Sequence, residues 1–143
     1  DQLRGRQGVV LDTMVFVYLF EDVPAFAAAS QTLLERMSKG WFAGVVTPIT
    51  AAELLVRPLR EGLNDLARRY NSVLDSFPHL TFAQVDRDTG RMAGALRAKY
   101  GLPLPDMFQL AVSLRYARPA LITNDKALKK VEEADVFLLG DFR

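Results

Sequence analysis

Gly8-Val9-Val10-Leu11-Asp12-Thr13 is the stretch on which the fold turns. It is apolar, then stops abruptly at a carboxylate and a hydroxyl. A short continuous apolar run of this kind reads as a buried strand of a parallel sheet. Met14 to Phe20 is apolar again and opens a helix, with Val15 to Phe20 packed as a short helical segment. In open α/β sheets the working site lies beyond the carboxyl ends of the strands. Asp12 stands at such an end, and the groups that matter are those able to join it there.

Moving outward, Glu21-Asp22-Val23-Pro24 breaks the first helix. Pro24 suits the first turn of the next one, where its missing N–H is no loss. That helix is expected to run to about Ser38, with Phe26, Leu33, Leu34 and Met37 apolar and Gly40 as its stop. Gly44 to Thr47 reads as a second strand, followed by a helix carrying Ala51-Ala52-Glu53-Leu54-Leu55 and stopped near Pro58. Glu61 to Phe77 has helical apolar spacing at Leu63, Leu66, Tyr70, Val73 and Leu74. Leu80 to Val85 is a third strand. Asp86 or Asp88 caps a helix that ends at Tyr100, with Gly101 after it. Pro103 and Pro105 open a helix to about Arg115. Ala120 to Thr123 is a fourth strand, Asn124-Asp125 begins a short helix to Lys130, and Val136 to Leu139 is a fifth strand. Strands alternating with helices predict a three-layer α/β domain with a central, mostly parallel sheet of four to five strands. With no repeat, low-complexity tract or linker, residues 1–143 are expected to form one domain.

Composition narrows the chemistry. Of 143 residues half are hydrophobic, which supports one folded core. The balance of 18 basic against 17 acidic side chains neither predicts nor excludes a polyanionic partner. The absence of cysteine removes disulfides, thiolate nucleophiles and thiolate metal sites, and a cytoplasmic location is the default expectation. No apolar run approaches the roughly 20 residues that span a bilayer. No secretory apolar region follows the polar start Asp1 to Gly8.

Asp12, Glu53, Asp106 and Asp125 occupy matching places at strand ends and helix starts. Each has a plain structural reading. Asp12 can cap the helix after it. Thr50-Ala51-Ala52-Glu53 fits a capping box, with the Glu returning to the Thr backbone N–H. Asp106 favours the dipole of its helix, and Asp125 can form a turn or cap. Together they mean more. Carboxylates that meet repel, so one must protonate unless a cation neutralises them. Acids converging without a basic partner make a hard-cation site suited to Mg²⁺ or Mn²⁺. Thr13, Thr123 and Asn124 can hydrogen-bond the ligands or a water around that site.

Val9-Val10-Leu11-Asp12-Thr13, Thr50-Ala51-Ala52-Glu53-Leu54, Leu104-Pro105-Asp106-Met107-Phe108-Gln109-Leu110-Ala111 and Ile122-Thr123-Asn124-Asp125-Lys126 resemble the four acidic motifs of PIN-domain ribonucleases, nearest the VapC-type toxins of bacterial toxin–antitoxin pairs. The resemblance covers nearly the whole chain, in order. It implies one or two Mg²⁺ or Mn²⁺ ions held by Asp12, Asp106 and Asp125. Glu53 would complete the acidic pocket as ligand or water-orienting group, with Thr123 in support. It also implies RNA phosphodiester cleavage by metal-activated water, leaving a 5′-phosphate, and a cognate antitoxin and a homodimer as partners. There are departures. Met14 stands where many relatives have a small polar residue, and Met107-Phe108-Gln109 where small residues are common. They keep a second reading open, a catalytically impaired PIN-fold binding or scaffold module.

The remaining features are plainer. His79, between Pro78 and Leu80, is expected in a loop, which disfavours histidine catalysis. Phe16, Tyr18, Phe20 and Phe26 are expected in the core, or in part lining a groove for a partner helix. Trp41 and Phe42 are expected in core or interface. Arg57, Arg60, Arg68 and Arg69, then Arg91, Arg97 and Lys99, then Lys126, Lys129 and Lys130 read as solvated faces that can hold phosphates if they flank the acids. A phosphoacceptor or dehalogenase-type site wants a second acid beside the first strand, and Met14 stands there instead. Glycine-loop nucleotide binding has no motif to rest on.

Overall fold

Val9–Leu11 (β1) is buried at every residue and takes the centre of a five-stranded sheet in a computed structural model that describes residues 2–21 and 23–142. Asp22, part of the expected break after the first helix, lies outside the described residues, as do Asp1 and Arg143. The other strands are Gly44–Val46 (β2), Leu80–Phe82 (β3), Ala120–Thr123 (β4) and Asp135–Leu138 (β5). All pairings are parallel, in the order β3-β2-β1-β4-β5. The register sets Leu11 beside Ile122, so β1 and β4 end side by side.

Six helices connect the strands: Thr13–Phe20 (α1), Ala27–Ser38 (α2), Pro48–Arg60 (α3), Asn64–Ser76 (α4), Arg87–Tyr100 (α5) and Leu104–Ser113 (α6). Short 3₁₀ turns follow at Lys126–Lys130 and Leu139–Asp141. From β1 the chain steps outward to β2 and β3, then returns past β1 to β4 and β5. Right-handed crossovers require opposite steps to lie on opposite faces. The core obeys. Val9, Leu11, Val46, Ala120 and Ile122 pack with side chains of α1 to α4, while Val10, Val45 and Leu121 pack with α5, α6 and Leu128. Alternate residues of one strand thus feed two cores, and the layers are α/β/α.

Local chemistry moves several boundaries from those the sequence predicts. Thr47 is not the end of β2 but the cap of α3, its Oγ1 accepting from the Thr50 N–H at 3.4 Å. Pro58 does not stop α3; it lies in the last turn, where only two residues follow it. Gly62 takes the left-handed conformation (φ +72°) that ends the segment, so α4 starts at Asn64 rather than Glu61. The helix expected from Pro24 begins at Ala27, and α6 ends at Ser113 rather than Arg115. β3 pairs only as far as Phe82, short of Val85, and β5 begins one residue early, at Asp135. Asp86, not Asp88, caps α5, accepting from the Thr89 N–H (2.9 Å) and Oγ1 (2.8 Å). Phe16 and Tyr18 are buried as expected, Tyr18 stacks on Phe26 and Phe20 stacks on Tyr70. Phe42 is core, and Trp41 is partly buried with the Arg4 and Arg36 guanidiniums over its ring.

Gly8 leads the chain into β1 beneath Tyr116, and a Cβ there would lie 2.2 Å from ring carbons. Gly8→Ala is therefore expected to destabilise by about 1–3 kcal/mol, the cost of forcing extra volume into a packed site. Chemical denaturation measures it, and the loss should shrink in a Tyr116→Ala background, where the ring is gone.

Candidate active site

The sheet reverses its order between β1 and β4, and the acids gather beyond the carboxyl ends of those two strands. Asp12 follows β1, and Asp125 lies two residues after β4. Glu53 reaches the place from α3 and Asp106 from the first turn of α6. Burial is the first cause that pushes the Asp106 carboxyl up to about 6, followed by the negative charges of Asp12, Asp125 and Glu53. All four acids therefore share one electrostatic hollow. Asp12 and Asp106 are half-buried, and Glu53 and Asp125 are exposed.

Asp12 is the most constrained of the four. Its Oδ1 accepts from its own helix start, the Thr13 N–H, at 2.7 Å and from Gln109 Nε2 at 3.0 Å. Its Oδ2 accepts from Thr123 Oγ1 at 2.7 Å. The capping reading and the site reading of Asp12 are both realised, because one carboxylate has room for both. Glu53 does not close the expected capping box with Thr50. Its Oε1 accepts from Thr13 Oγ1 at 2.7 Å. Thr13 has a single hydroxyl proton, so the buried Thr50 hydroxyl, 3.1 Å away, donates to Thr13 in turn. Asp125 accepts from the Ala127 N–H at 2.9 Å, and its own N–H donates to Thr123 Oγ1 at 3.1 Å.

Of the three polar residues predicted beside the acids, Thr13 and Thr123 touch them and Asn124 does not. Asn124 Nδ2 donates to the Tyr18 hydroxyl at 3.0 Å, fastening the end of β4 to α1. Gln109 is the residue the acidic pattern misses. It follows Asp106 by three positions, one helical turn, and that spacing is the signal that could have found it. Met14 is exposed, so it does not fill the hollow. His79 precedes β3, at the opposite end of the sheet, with φ +63°. A cavity of about 770 Å³, lined by Arg6, Asp135 and Phe137, is at the start of β5 and away from the acids.

Among the described residues no three acids stand close enough to grip a single ion as they are placed. The charges nevertheless act together on Asp106. The two facts fit an open oxygen-lined hollow rather than a closed cage. Mg²⁺ favours such a place, because it keeps several waters and takes one or two carboxylates. The donors present are carboxylates and hydroxyls, with no thiol or imidazole among them, and they fit a hard divalent cation.

A family model for the PIN domain matches residues 9–134. The chain belongs to the PIN domain family. PIN domains are generally nucleases that use divalent metal ions. Among curated proteins none matches. The chain is similar in structure to VapBC2 from Rickettsia felis bound to a DNA fragment from their promoter, with TM-score 0.73, 18% identity, and 92% of this chain and 98% of that chain covered. It is similar to a toxin–antitoxin complex from Klebsiella pneumoniae, with TM-score 0.70, 22% identity, and 92% and 97% covered. It is also similar to VapBC-5 from Mycobacterium tuberculosis, with TM-score 0.60, 23% identity, and 92% and 98% covered. At these identities the likeness is one of fold.

Most of the cations that the sequence offered for phosphate contact are already engaged. Arg57 lies 2.5 Å from Glu21 and 3.2 Å from Glu61. Arg68 pairs with Asp65, Arg91 with Asp88, and Lys99 with Glu133 at 3.0 Å. Arg97 donates to the Gly101 and Leu102 carbonyls, and Lys129 to the Val136 carbonyl. Arg60, Arg69, Lys126 and Lys130 have no ion pair with another described residue.

The crowding has a measurable cost in protein freed of divalent ions by a chelator. As pH rises from about 4 to 6 the unfolded chain ionises Asp106 before the folded one does, so stability falls across that window. Asp106→Asn is expected to raise stability at pH 7.5 by about 1 kcal/mol, a modest figure because Asp106 is half-buried and solvent screens the repulsion. The gain should vanish toward pH 4, and thermal melts across that range check it.

Proposed function

We propose that this protein is a Mg²⁺- or Mn²⁺-dependent endoribonuclease, the toxin of a toxin–antitoxin pair, and that residues 1–143 act as one catalytic domain. The observation that carries the reading is the meeting of Asp12, Glu53, Asp106 and Asp125 at the point where the sheet reverses, with their charges felt together at Asp106. Family membership supports nuclease chemistry. The fold likeness to toxin–antitoxin complexes supports the cellular role and a cognate antitoxin as partner, and a homodimer and a cytoplasmic location belong to the same proposal.

Asp12, Asp106 and Asp125 would hold one or two cations between them, in part through water, with Glu53 as a further ligand or orienting water. A bound divalent ion supplies a lowered pKa for water and offsets the charge of the phosphate. The chain's own residues do the rest. Thr13 N–H, Gln109 and Thr123 hold the Asp12 carboxylate in one orientation. The Thr50–Thr13–Glu53 relay holds the Glu53 carboxylate and keeps its second oxygen available to take a hydrogen from water. Lys126, next to Asp125, and Arg60, two turns along α3 from Glu53, are free to hold phosphates flanking the scissile one. The scaffold reading rested on Met14 in place of a small polar residue and on Met107-Phe108-Gln109 in place of small ones; Met107 and Phe108 pack in or against the core and Gln109 bonds Asp12. Thr13 already supplies the hydroxyl that Glu53 needs, and this favours the active enzyme.

Purified protein is expected to cleave single-stranded RNA in Mn²⁺ and to stop in excess EDTA. Asp12→Asn, Asp106→Asn and Asp125→Asn should each lose at least about 100-fold in rate, since stabilisation by the ion amounts to several kcal/mol. Equal cleavage by all four proteins would expose a contaminating nuclease and sink the assignment.

A further inference from the structure

Gln109 is only 1% exposed, on a stretch of α6 that is otherwise buried and apolar at Met107, Leu110, Ala111 and Val112. Its Nε2 donates to Asp12 Oδ1, and its Oε1 is buried with no hydrogen-bond partner. The amide cannot simply be turned over, because that would set Oε1 against a carboxylate oxygen. A buried acceptor left without a donor is unfavourable, and natural folds retain few of them. An apolar side chain would pack at this position without that penalty, so simple core packing does not account for a glutamine.

Counting lone pairs shows what Gln109 does. A carboxylate has about four acceptor sites. Thr13 N–H and Gln109 take both on Asp12 Oδ1, and Thr123 takes one on Oδ2. One site on Oδ2 is left. Remove Gln109 and Oδ1 regains a site, and the carboxylate is free to turn about its bond to Cβ. We propose that Gln109 is a positioning residue that commits Asp12 to meet a divalent cation through Oδ2 alone. The proposal rests on the reading of Asp12 as a cation ligand given above.

The test is Mn²⁺ affinity of the full chain by titration calorimetry, with no RNA present. Gln109→Met keeps the volume and removes both polar atoms. It is expected to weaken Mn²⁺ binding about tenfold or more, the usual effect of losing a partner that orients a ligand, while thermal stability holds or rises. Met107→Ala, on the same helix and away from Asp12, should lower stability and leave Mn²⁺ affinity at the wild-type value. If Gln109→Met binds Mn²⁺ like wild type while Asp12→Asn does not bind, the positioning role is overturned and the cation site stands. If Asp12→Asn also binds like wild type, the site itself is wrong and this proposal goes with it. Should Gln109→Met fail to fold, the unaltered protein decides: the side-chain amide resonances of Gln109 should shift on adding Mg²⁺, and signals that do not move would overturn the proposal.

Discussion

Like charges that must meet in a half-buried place are the constraint on which this molecule depends. Asp106 feels Asp12, Asp125 and Glu53 at once, and burial makes each of those repulsions harder to relieve. The fold answers by fixing one acid firmly. Asp12 is held from three directions: by the start of α1, by β4 and by α6. Since α1 and α6 lie on opposite faces of the sheet, this single carboxylate ties both outer layers to the central strand. The remaining acids are supported more loosely, Glu53 through two threonines and Asp125 through backbone amides.

The strands were legible because a strand buried on both faces can only be written as an apolar run, as at Val9–Leu11 and Ala120–Thr123. Their ends were less so. Thr47 has the β propensity to extend β2, but its hydroxyl caps α3 instead. Pro58 carries a strong breaking signal that tertiary burial overrides in a last helical turn. The acids were legible as a set, since their places relative to strand ends and helix starts are local facts. What they touch was not. Thr50 with Glu53 satisfied a local capping pattern, yet Glu53 found its donor on another helix, at Thr13. Asn124 lies beside Asp125 in sequence and faces Tyr18 in space. Gln109 lies one helical turn after Asp106 in sequence, but its bond to Asp12 on another element is visible only in space.

The cations follow a different economy from the acids. Arg6, Arg57, Arg68, Arg91, Lys99 and Arg115 pair with carboxylates on the same helix or on another segment. Positive charge is therefore offset at several points of the surface. That agrees with a net charge of +1 and with recognition by a small number of placed contacts.

The central strand has one further consequence. β1 is made before its neighbour β4, which begins only at Ala120, and two of the three donors to Asp12 are Gln109 and Thr123. A growing polypeptide emerging from the ribosome therefore holds the Asp12 carboxylate without two of its braces until β4 has followed. The four acids can be brought together only after more than a hundred residues have been added behind β1.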